Sequence, residues 1–140
     1  MKTTYHFLPQ HDYHYENMMH YAKQSHDPVR QVVAMLHTNT HKWYVGVNRF
    51  AVNQHKDFFE LDFTNRELVR TLIVHAEIVA LQKAALDGFT DFAKSRLYVT
   101  LEPCIKCRGV IESLGISSVY YYEKYVASIS GEIRSDKNDL

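Results

Sequence analysis

Cysteine is scarce in this chain: there are two, Cys104 and Cys107, within one four-residue stretch. A disulfide-stapled secreted domain spreads its cysteines over distant segments. This pattern instead points to a reducing, cytoplasmic setting and to a metal or redox role for the pair. Long apolar runs are missing too. None approaches the roughly 20 residues that a membrane-spanning helix needs, so no membrane segment is expected. Residues 1–10 lack the apolar stretch and small-residue cleavage site of a signal peptide. Charge of one sign is also missing, since 16 Lys and Arg balance 16 Asp and Glu. A polynucleotide binder usually carries a basic excess, so a polynucleotide partner is not expected, although net charge does not fix where charges sit. There are no repeats, low-complexity stretches or linkers. What is present, 140 residues with 46% hydrophobic and 23% charged, suits a single domain over residues 1–140 with one sizeable core.

The order of elements reads as α/β. Asp12 can cap a first helix, along which Tyr15, Met18, Met19 and Ala22 recur at helical spacing. Asp27-Pro28 ends it, because proline disfavours helix in the residue before it. Residues 31–37 (QVVAMLH) and 42–48 (KWYVGVN), joined by Thr38-Asn39-Thr40, predict an antiparallel hairpin. Residues 49–63 have no clear pattern. Thr64 and Glu67 resemble a capping box that opens a helix through Leu68 and Leu72. That helix either runs on or breaks near Val74 and restarts. Helix is predicted over 75–86, with Gly88 as its stop, and a strand over 96–101. Pro103 suits a first helical position, predicting a helix from there to about Leu114, ended by Gly115. A strand over 116–122 follows, and strand-helix-strand implies a right-handed parallel crossover. Residues 126–140 are polar, short and without period, and predict a loosely ordered tail.

Two segments carry chemistry: His75-Ala76-Glu77, and Pro103 with Cys104 and Cys107. Zinc favours thiolate and imidazole in tetrahedral geometry. Two cysteines three apart at a helix start point to one side of its first turn, where the helix dipole lowers thiol pKa. His75 supplies a third ligand, which leaves a fourth position for water and so a catalytic site holding one zinc ion per chain. Zinc lowers the pKa of such a water towards neutrality. Glu77 is not needed as a ligand and can carry the proton. H-x-E followed by P-C-x-x-C is the signature of zinc-dependent base deaminases. Two other readings stay open: a thioredoxin-like redox pair, which leaves His75 and Glu77 without a role, and a structural zinc site whose fourth ligand comes from one of the nine histidines. His6, His20 and His55 receive no role.

At these residues, across about 25–125, the chain resembles the cytidine deaminase superfamily, and within it the deoxycytidylate (dCMP) deaminases. Ser25-His26-Asp27-Pro28 is similar to that family's S-x-D-P stretch, and Gly46-Val47-Asn48 to its G-Y-N. Gly115-Ile116 followed by residues 119–125 (VYYYEKY) is similar to its closing strand. The resemblance implies a three-layer α/β/α fold around a mixed sheet of four or five strands, with the zinc site at two helix N-termini. Helices that meet the site end-on would let both His75 and Glu77 reach it, though two residues apart they do not share a helix face. The implied reaction converts dCMP, a free small-molecule nucleotide, to dUMP with release of ammonia. The resemblance also implies a sugar contact from Asn48, a pyrimidine contact from the Ala76 backbone, Tyr125 near the phosphate, and a homo-oligomer. Asn48 reads equally as a turn residue that ends a strand, and Tyr120, Tyr121 and Tyr122 read as strand packing.

The chain departs from that family at several points. Arg49 stands where Gly is common, and Val79 where Asn is common. Residues 100–104 (TLEPC) are spelled as in tRNA adenosine deaminases and riboflavin-pathway deaminases. There is no second Cys/His cluster. The family commonly continues with another helix and strand, so either a strand is missing at one sheet edge or a neighbouring subunit covers it. The alternative functions are deamination of another base (tRNA adenosine, cytidine or a free purine) and a non-catalytic, zinc-stabilised binding module.

Overall fold

The computed structural model describes residues 2–51, 62–127 and 133–135. In chain order these form β1 (Thr4–Phe7), α1 (Tyr13–Met19), β2 (Val33–His37), β3 (Trp43–Val47), β4 (Arg49–Phe50), α2 (Arg66–Leu72), β5 (Ile73–Val74), α3 (Ala76–Leu86), β6 (Arg96–Leu101), α4 (Ile105–Ser113), β7 (Ser118–Glu123), β8 (Tyr125–Ala127) and β9 (Ile133–Ser135). Among the described residues no helix is long and apolar enough to cross a membrane.

Five strands make one mixed sheet in the order β1-β7-β6-β2-β3. The predicted hairpin is present, with β2 and β3 antiparallel and Met35 opposite Val45. The crossover from β6 through α4 to β7 is parallel, as the sequence predicts. Strand β2 is buried along four of its five residues because both sheet faces are covered. Side chains alternate between the faces. Ala34, Leu36, Leu97, Val99, Val119 and Tyr121 pack with Ala76, Ala80, Ala84 and Ile111 of α3 and α4. Val33, Met35, Tyr98 and Tyr122 pack on the other face with Met18 of α1 and Ala22. This is the expected three-layer arrangement.

Three local points differ from expectation, and one open alternative is decided. First, the N-terminus supplies β1, which sequence patterning does not reveal. It runs parallel to β7 with Thr4 opposite Ser118. Thr3 Oγ1 donates to Ile116 O at 2.6 Å, and Leu8 N to Tyr121 O at 2.8 Å. The place beside β7 at the edge of the sheet is therefore taken by the N-terminal segment. Second, the cap of α2 is Asn65, not Thr64. The Thr64 hydroxyl turns back to Asp62 at 2.5 Å, and Asn65 Oδ1 accepts from Leu68 N at 3.2 Å. Third, the break after Leu72 is real, because Ile73 and Val74 leave the helix to pair with Phe50 and Arg49. Fourth, α4 starts later than predicted. Glu102 N bonds to Glu123 O at 2.7 Å, which carries the extended ladder past β6. The turn into helix then comes after Pro103, with Cys104 as N-cap.

Residues 126–140, predicted as a loosely ordered tail, fall largely outside the described residues. Two described segments there pair as the antiparallel β8–β9 ladder.

Gly46 sets the spacing between the sheet and α3. A Cβ there would lie 2.4 Å from both Ala76 O and Ala80 N, so only glycine lets the helix backbone lie this close to β3. Ala76, Ala80 and Ala84 repeat every fourth residue on the facing side, and their small size serves the same approach. Lys83 Nζ adds a 2.7 Å bond to Val45 O. We expect Gly46→Ala to lower unfolding stability by at least ~1–3 kcal/mol, the usual cost of overpacking, read as the shift in denaturant midpoint. Gly109→Ala, in open space within α4, should raise it by up to ~1 kcal/mol through helix propensity.

Candidate metal centre

The N-termini of α3 and α4 converge. His75 is the N-cap of α3, with extended backbone (φ −69°, ψ 149°), and Cys104 holds the same position on α4. Because His75 stands outside the helix, its spacing from Glu77 is not that of two residues within one. Both residues line one cleft. Cys107 is buried on the first turn of α4. Its Sγ lies 3.3 Å from His75 Nδ1, and Cys104 Sγ lies 3.5 Å from the same nitrogen.

The three candidate ligand atoms lie within 4.8 Å of one another, and this is the one such group of three or more among the described residues. Tetrahedral zinc bonds of ~2.3 Å to sulfur and ~2.05 Å to nitrogen give a sulfur–nitrogen edge of roughly 3.6 Å. The observed separations fit that edge to within a few tenths of an ångström. The protonation pattern fits as well. The Cys104 thiol is held down to about 3, chiefly by its hydrogen bond with Cys107 and also by His75. Cys107 is pushed upwards by the same bond and by burial, and His75 is raised by its bond with Cys104. Two sulfurs and an imidazole thus share protons, which a divalent cation would displace.

Glu77, on the first turn of α3, is only 3% exposed. Burial pushes its carboxyl up to about 7. It faces the same cleft as His75 and Cys104, a cavity of about 720 Å³, within the range of small-molecule sites.

Ala76 and Asn48 also line this cleft. The Asn48 side chain is buried and organises the approach to β2. Its Oδ1 accepts from Val32 N at 3.0 Å and from the Ser25 hydroxyl at 2.5 Å. Its Nδ2 donates to Arg30 O at 2.7 Å. The Tyr125 side chain lies outside the described residues.

Sequence reasoning missed the cations of the cleft, Arg30, Arg66, Arg70 and Lys106. It also missed the pairing of Arg66 with buried Asp27 (Nη1 to Oδ1 3.1 Å). Balanced net charge conceals such clustering. The S-x-D-P stretch was the available signal, since its Ser25 and Asp27 both serve this wall.

Cys104→Ala and Cys107→Ala should each lose zinc, measured by elemental analysis of purified protein. Full occupancy in both would refute the ligand set. Asn48→Ala leaves the Val32 amide and Arg30 carbonyl without their partner, and should cost about 1–3 kcal/mol of stability in denaturant titration. An unchanged midpoint would argue against this scaffold role.

Several known proteins resemble this chain. A Drosophila melanogaster protein described as a probable deoxycytidylate deaminase is 33% identical over 124 residues, covering 81% of this chain and 60% of its own length. A tRNA-specific adenosine deaminase subunit of Schizosaccharomyces pombe is 39% identical over 51 residues, covering 35% of this chain and 13% of that protein. The chain therefore spans less than two thirds of either relative. The dCMP deaminase of cyanophage S-TIM5, solved with dCMP and dUMP, shares the fold with a TM-score of 0.63 at 22% identity, over 79% of this chain and 78% of that one. The cytidine deaminase of Burkholderia pseudomallei gives 0.51 at 20% identity, over 89% and 91%. The family model for the cytidine and deoxycytidylate deaminase zinc-binding region matches residues 8–123, and the chain belongs to that family.

Proposed function

We propose that this protein is a zinc-dependent hydrolytic deaminase of a free cytosine nucleotide, converting dCMP to dUMP with release of ammonia. The observation that carries the reading is the buried Glu77 carboxyl at one cleft wall beside the Cys104, Cys107 and His75 donor set. Those three residues would hold the zinc. When bound in such a set, zinc supplies Lewis acidity towards water. Glu77 takes a proton from the attacking water and passes it to the ring nitrogen next to the amine-bearing carbon, then carries the proton of the newly added hydroxyl to the departing amine, so that a C–O bond forms, the C–N bond breaks and ammonia leaves. Its carboxyl, raised by burial, both accepts and returns a proton near neutral pH.

Asn48 and the Ala76 backbone line the cleft, which supports roles in holding the sugar and the pyrimidine. We assign Tyr125 to the phosphate from the resemblance alone. The chain functions as a homo-oligomer in this reading, which its mass in solution tests.

A second reading, deamination of adenosine in tRNA, draws on the TLEPC spelling and on the short matches to tRNA adenosine deaminases. Ammonia release from dCMP, CMP, dCTP, cytidine, adenosine, guanine and a tRNA anticodon stem separates the two. We expect dCMP to lead, and turnover confined to the anticodon stem would overturn that choice. Glu77→Gln should retain zinc and lose turnover by at least ~100-fold. Undiminished ammonia release would defeat its catalytic role, and a zinc-loaded wild type inert on the whole panel would favour a binding module.

A further inference from the structure

We infer that Arg30, backed by Lys106, is the anion-recognition element of the cleft and selects substrates carrying a phosphate. This deepens the reading above and rests on it for the identity of the base, but not for the recognition of phosphate.

Four basic side chains line the cleft: Arg30, Arg66, Arg70 and Lys106. In a chain with no net charge, this clustering is a matter of placement. The four are not equivalent. Arg66 is committed to the wall, because its guanidinium holds Asp27 and donates to Phe63 O at 2.9 Å. Among the described residues, the Arg30 guanidinium and the Lys106 ammonium enter no ion pair or hydrogen bond. They belong to separate segments, one leading into β2 and the other on the first turn of α4.

Arg30 is also held at its backbone. Its carbonyl accepts from Asn48 Nδ2 at 2.7 Å, and the amide two residues on, Val32 N, donates to Asn48 Oδ1 at 3.0 Å. Ser25 fixes that Asn48 oxygen from the other side at 2.5 Å. A part-buried arginine is thus presented to the cleft by a segment whose polar groups are anchored on a buried asparagine. Such preorganisation lessens the ordering needed on binding. The planar guanidinium suits two phosphate oxygens at once, whereas a lysine acts as a point charge. Arg30 is therefore the specifying member and Lys106 the supporting one. Asn48 enters as the positioning residue for Arg30.

The test uses the zinc-loaded protein and equilibrium binding by calorimetry, with dUMP, deoxyuridine and inorganic phosphate as probes. Binding of the product needs no turnover. For Arg30→Gln we expect dUMP to weaken about ten- to a hundredfold, competition by inorganic phosphate to be lost, and deoxyuridine to be unaffected, with zinc content unchanged. Lys106→Gln should give a smaller loss of the same kind, and Lys94→Gln, remote from the cleft, none. Equal weakening of dUMP and deoxyuridine, or no weakening of either, would overturn the inference. Ammonia assays on dCMP and deoxycytidine keep the two claims apart. Deamination of both at equal efficiency, unchanged by Arg30→Gln, sinks the anion site and leaves the deaminase. Arg30-dependent phosphate binding without any cytosine deamination sinks the base assignment and leaves the anion site.

Discussion

The backbone of Gly46 lies against the first two turns of α3, and the site depends on that approach. A single methyl group at this position would meet Ala76 O and Ala80 N at 2.4 Å. Because the helix can lie so close to β3, its N-terminus reaches the level where β6 ends and α4 begins. His75 at the cap and Glu77 on the first turn then face Cys104 and Cys107 across a few ångströms. The cluster of candidate ligands thus results from sheet–helix spacing as much as from the donor residues themselves. Overpacking the helix on the sheet would move two functional groups together.

Much of this was legible in the sequence, where local pattern and tertiary structure agree. Residues 96–101 read as a strand and form one with the same bounds, since an apolar run between turn signals has few alternatives. The candidate ligand trio, which the fold brings together, was legible because zinc chemistry restricts donor type and spacing. The start of α4 was misplaced by two residues. Pro103 does favour a helix start, but the bond from Glu102 N to Glu123 O keeps the chain extended there, and only the paired strand reveals it. Thr64 and Asn65 are both good caps, and the carboxylate of Asp62 decided between them. The parallel strand β1 gave no signal, because its four residues do not alternate in burial: the two inner ones are part-buried and the two outer ones exposed. Its partner is over a hundred residues away.

The cleft itself was the least legible part. Asn48 drew attention as a contact to a sugar or as a turn residue. Its hydrogen bonds give it a third part, tying Ser25, Arg30 and Val32 into one wall. Composition cannot disclose that four cations share one concavity in a chain whose charges cancel. Buried Asp27 shows the same limit: its partner Arg66 lies 39 residues away.

The filling of the sheet edge by β1 bears on how this chain folds. Thr4 is synthesised before Ser118, yet the two are ladder partners. The first strand made therefore waits for one of the last, and closing so long a loop is slow compared with forming the β2–β3 hairpin. Until β1 docks, β7 presents an open edge able to pair with a neighbouring chain. Once docked, β1 is itself the edge of the sheet, and its four residues offer a neighbouring chain a shorter ladder than the six of β7 would.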